Sequence, residues 1–151
     1  MKSLVLVSLT ILQSGEIIHA IENNQQQREI IHETENNQHL AAQALQILTQ
    51  TFPLRHTLQC INKSLVTLNG KIDQKQKKAF VMHHEDVTRA LDKVSELCNK
   101  ANASLLNKEK PENILHLLVL AQMTLKNAQK ELNHYEVSFK NHVQEINEAK
   151  S

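Results

Sequence analysis

His56 and Cys60 stand four residues apart, a spacing that brings two side chains together on one face of a helix. A thiol beside an imidazole is the start of a nucleophile–base pair. Catalysis by such a pair also needs a group to orient the base and donors for an oxyanion. A chain with two glycines has little loop from which to build them. It has no glycine-rich phosphate cradle and no G-x-S-x-G elbow. No enzyme activity is therefore expected. Metal chemistry is disfavoured too. A zinc helix presents two histidines four apart, whereas His32 and His39 are seven apart, about 10.5 Å along a helix. His83 and His84 are adjacent and point to different faces. No HExxH occurs, and neither metal nor cofactor is expected. His84 and His142 fall on apolar stripes described below, which reads as hydrogen-bonded histidines in or beside a core.

The other chemistry is that of a secretory compartment. Residues 1–20, "MKSLVLVSLTILQSGEIIHA", begin with Lys2, continue with the mostly apolar run Leu4 to Leu12 and end on the small residue Ala20. That is the pattern of a cleaved signal peptide. The run is too short to span a bilayer, which takes about 20 apolar residues. The rest of the chain carries two N-glycosylation triplets, at Asn62 and Asn102, and the only two cysteines, Cys60 and Cys98. Behind a signal peptide the triplets become glycan sites and the cysteines a candidate disulfide.

Composition narrows the fold. Apolar residues make up 40% of the chain, enough for a core, while two glycines and two prolines leave little turn chemistry. An all-α chain is expected. Aromatics are 3% and net charge is +1 without a basic stripe, so no nucleic-acid partner and no stable membrane insertion are expected. After a polar tail at residues 21–29, "IENNQQQRE", a single helical domain is expected over 30–151.

Four helical stripes can be drawn there. The first runs Ile31, Thr34, Gln38, Ala41, Leu45, Leu48 and Phe52, and Pro53 interrupts it, since a residue before proline disfavours the α region. The second is Leu54, Leu58, Ile61, Leu65 and Leu68, closed by Asn69-Gly70. The third is Phe80, His84, Val87, Leu91, Val94, Cys98, Ala101 and Leu105. Pro111 suits the first turn of the last helix. There Ile114, Ala121, Ala128, Tyr135 and His142 hold one heptad position, and Leu118, Leu125, Leu132, Phe139 and Ile146 the other. The expected architecture is an elongated antiparallel bundle. It has four helices if Pro53 is a turn and three if it is only a kink.

Geometry complicates the disulfide. If Asn69-Gly70 is a tight turn and the next helix runs straight back, Cys60 faces residue 81 or so. Cys98 is then on the order of 25 Å further along, against about 7 Å between bridged Cα atoms. An intrachain bridge would need a break near residues 71–79. Two unpaired thiols and an intermolecular bridge are the alternatives.

One feature exceeds what a bundle core needs. Residues 114–121, "ILHLLVLA", are apolar on more than one side, with Leu115 and Val119 facing away from the seam. Such a face is covered by bundle neighbours, by a partner or by an apolar ligand. The expected function is a secreted, non-enzymatic helical bundle that binds a macromolecule in an extracellular fluid. A carrier of a lipid or other apolar small molecule is the alternative, and a small helical signalling ligand the third. Homodimerisation is open.

Overall fold

In a computed structural model, the described residues are 2–150 for the backbone and 19–150 for side chains. Three helices are found among them: α1 (Lys2–Thr67), α2 (Gln74–Leu106) and α3 (Pro111–Glu148). The expected signal peptide, except for His19 and Ala20, lies outside the described side chains. The chain divides into two compact units, residues 1–39 and 40–151.

In the first unit every residue from His19 to Asn36 is exposed, including Ile21, Ile30 and Ile31. Residues 21–29 are solvated, as their composition implies, but helical.

The second unit is a three-helix bundle built on three stripes. The α1 stripe runs Leu40, Ala44, Ile47, Thr51, Leu54, Leu58, Ile61 and Leu65, and Leu68 continues it just past the helix end. They alternate by four and three without a break, through Pro53. The expected boundary at Phe52 is absent, and three helices form rather than four. The first expected stripe was also out of phase. Leu45 is 65% exposed and Phe52 66%. Proline removes one N–H and leaves the carbonyl four residues back, that of Thr49, without its donor. Both residues are exposed, so water is at hand for that carbonyl, while the buried face is untouched.

The α2 stripe buries Phe80, Val87, Leu91, Val94, Leu97, Cys98, Ala101 and Ser104. That of α3 buries Ile114, Leu118, Ala121, Leu125, Ala128, Leu132, Tyr135 and Phe139, with His142 and Ile146 half-buried at its end. The α3 heptads are thus as expected. Together the stripes form one core, and burial of apolar side chains at roughly 25 cal/mol per Å² stabilises the bundle.

Turn chemistry sets the directions. Gly70 takes the left-handed conformation at φ +86°, and Lys71 N–H donates to the Leu68 carbonyl at 2.9 Å. Helix α2 starts three residues later, at Gln74. Arg55 of α1 then meets α2, pairing with Asp92 at 2.9 Å and donating to Ser95 Oγ at 3.3 Å. Between α2 and α3, Glu109 N–H donates to the Ser104 carbonyl and Lys108 N–H to that of Leu105, a Schellman closure. Pro111 opens α3 at its first turn. Phe80 on α2 then packs against Tyr135 and Phe139 on α3, at ring-centroid distances of 6.0 and 5.4 Å. Neighbours in sequence are therefore antiparallel, and residues 40–67 of α1 run parallel to α3.

The Arg55–Asp92 pair also marks the register that separates the cysteines. It puts Cys60 level with residue 87 or so, and Cys98 about 16 Å further along. The expected bridge is not formed: Cys60 is a free, exposed thiol and Cys98 a free, buried one. The straight hairpin and the intact α2 prevail because both bury apolar surface along their whole length, which one intrachain crosslink would have to disrupt.

Candidate functional site

Where α1 and α3 run side by side, the seam between them opens into a groove of about 560 Å³, within the size range of small-molecule sites. Its apolar lining comes from Ile61 on α1, from Leu68 just past its end, and from Phe139 and Val143 on α3. These belong to the stripes, so the same periodicity that makes the core makes this wall. On the α1 side the lining includes Cys60 and His56, with Cys60 Sγ 3.7 Å from His56 Nε2. The expected contact between them is present, since both lie on one uninterrupted turn of α1. On the α3 side Lys140 donates to Glu136 Oε1 at 2.7 Å, a charged pair along the groove's lining.

The groove was not foreseen as a site. The signal for it lay in Cys60, one position off the Leu58–Ile61 seam, and in the parallel placement of α1 and α3. Only the second turn of the bundle creates that placement.

Leu115 and Val119 lie elsewhere. They are 47% and 49% exposed on the face of α3 turned from the core, with Met123 continuing the row at 60% and Leu120 beside it at 41%. Leu117, by contrast, packs against the core. The row begins more than twenty residues before the groove's Glu136, on the order of 30 Å along α3. It is an open surface rather than the wall of that groove.

At the Phe80 end of the bundle, the α2–α3 seam holds a polar cluster. His83 stacks on Tyr135 at 5.9 Å, and His142 packs on Phe80 at 5.7 Å. His142 Nδ1 lies 3.4 Å from Glu145 Oε2. His142 Nε2, Tyr135 Oη and His84 Nδ1 are buried without a hydrogen-bond partner. At His142 the expected hydrogen bond is missing on Nε2, and Nδ1 has the Glu145 carboxylate as a neighbour. At His84 the expected partner is missing on Nδ1. Burial pushes the Tyr135 hydroxyl up to about 12. It likewise raises the Cys98 thiol, so the thiolate is disfavoured there. Among the described residues no three metal-capable side chains converge, and no helix is long and apolar enough to cross a membrane.

Of the two glycosylation triplets, Asn62 is exposed and Asn102 half-buried. Both lie inside helices rather than loops.

Compared with protein-family models, curated proteins and solved structures, the chain has no match among them.

Proposed function

We propose that this protein is a secreted, non-enzymatic helical bundle that binds a macromolecular partner in an extracellular fluid. The observation that carries the reading is the row Leu115, Val119 and Met123, exposed on the outer face of α3 beyond what the core uses. Contiguous exposed apolar surface of this kind marks interaction sites. The secretory part rests on the leader pattern of residues 1–20 and on the exposed triplet at Asn62.

The test is the double variant Leu115→Glu, Val119→Lys. Because both residues are about half exposed, it is expected to leave the denaturation midpoint nearly unchanged and to abolish self-association or capture of the extracellular partner. Sedimentation velocity and crosslinking in the native fluid measure both. Unfolding would make the row part of the core, and unchanged association would dismiss the interface.

A second reading is favoured by the groove between α1 and α3. Its volume and apolar lining suit an aliphatic ligand, which makes the protein a carrier of an apolar small molecule. Native mass spectrometry of the secreted protein tests it, and the absence of any co-purifying or added aliphatic ligand counts against it.

A further inference from the structure

The row on the outer face of α3 has an order that fits one partner in particular. Leu115, Val119 and Met123 follow one another by four, and all three are exposed. Val119 stands at the middle, with Glu112 seven residues before it and Lys126 seven residues after it. Residues spaced by four and by seven share one side of a helix. Acid, apolar row and base therefore form a single strip along α3. Glu112 and Lys126 are both exposed, and neither has an ion-pair or side-chain hydrogen-bond partner among the described residues.

We infer that this strip is a homodimer interface, in which α3 packs antiparallel on α3 of a second copy about a twofold axis at Val119. The inference rests on the macromolecular-partner reading of the row and names the partner.

Charge and order select both the occupant and its direction. In an antiparallel pair centred on Val119, position 119 meets itself, Leu115 meets Met123 and Glu112 meets Lys126. The last two contacts occur twice, as in any isologous interface. Every apolar residue then faces an apolar one. Each end of the strip closes with opposite charges, about 10.5 Å from the centre at the helical rise. A parallel pair would set Glu112 on Glu112 and Lys126 on Lys126, which repel. A strip whose two halves complement each other is what a twofold dimer requires, and an unrelated partner places no such demand on it. The helix dipole gives Glu112 a second reason to stand in the first turn of α3. It gives none for Lys126, three turns further on.

The test is sedimentation equilibrium of the full chain at low ionic strength over a concentration series. Cys60→Ser serves as background, because that thiol is free and exposed and an intermolecular disulfide would mimic the dimer. A monomer–dimer equilibrium is expected. Lys126→Glu is expected to weaken it about tenfold, since two attractive contacts become two repulsive ones. Adding Glu112→Lys to that variant exchanges the charges and is expected to restore the original affinity, which a merely structural effect of either substitution would not do. Circular dichroism is expected to stay unchanged in both, because both positions are exposed. A chain that is monomeric at every concentration overturns the inference. So does a dimer that Lys126→Glu leaves intact, or one that the charge exchange fails to restore. Leu115→Glu with Val119→Lys separates the two layers. If the original chain is monomeric but loses a crosslinked extracellular partner in this variant, the partner reading stands and the second copy fails. If the variant changes neither dimer nor partner, both fail.

Discussion

Tyr135 is the chain's one tyrosine, no tryptophan accompanies it, and its hydroxyl is buried without a partner. Desolvation lifts its folded-state pKa from 10 to about 12. A raised folded pKa favours the folded state while the group is protonated. That contribution is complete below pH 10 and is lost as pH rises towards 12. Tyrosinate absorbance is therefore expected to rise near pH 12 in the folded protein and near 10 in urea. Loss of helix by circular dichroism should accompany the folded-state rise. A transition at pH 10 in native conditions would mean that the ring is solvated. Lys108 is the other residue under strain. It sits at φ +53° in the position of the α2 closure that glycine prefers. Lys108→Gly is expected to raise stability by about 0.5–1 kcal/mol in urea unfolding. A loss of stability would show that the lysine's aliphatic stem packs on the turn.

At the scale of the element, Pro53 is the informative residue. A proline inside a helix costs about 3 kcal/mol relative to alanine. Helix α1 nevertheless continues through it, because the stripe from Leu40 to Leu68 buries one face on either side of it. Pro53→Ala restores the Thr49 acceptor's partner and is expected to stabilise the protein by about 1–3 kcal/mol, read as a shift in denaturant midpoint at constant slope. A neutral result would mean that the local backbone already relaxes the clash. The same element explains why its phase was hard to read. Two stripes spaced by three and four compete on α1, one through Leu45 and Phe52 and one through Ala44, Ile47 and Thr51. Hydrophobicity favours the first, with its phenylalanine. Continuity with Leu54 and Leu58 favours the second, and continuity wins because helices α2 and α3 can cover only one face.

At the scale of the molecule, every core residue among the described side chains lies at or beyond Leu40. Residues 19–36 are exposed throughout, so their helix has only its own propensity for support. Isolated helical segments of that kind are marginal in water. Hydrogen exchange is expected to be fast over 19–39 and protected by the global unfolding free energy over the stripes of α2 and α3. Protection of residues 19–36 equal to that of Leu91 or Leu125 would show that an association covers them.

Much was determined by sequence alone. Scarce glycine and proline with period-3.6 apolar residues dictate helices. Five heptads from Ile114 to Ile146 place the α3 core residue by residue, because a helix presents every third or fourth side chain to one side whatever it packs against. Gly70 and Pro111 mark a turn and a start because their backbone limits are local. Tertiary structure decided what depends on partners across the bundle. Packing of the α1 and α2 stripes in one core, in the register that Arg55 and Asp92 mark, keeps Cys60 from Cys98. The parallel run of α1 beside α3 makes the groove at Cys60. The number of helices decides that Leu115 and Val119 face water. Each of these follows from how surfaces are shared among three helices, and no single stripe carries that information.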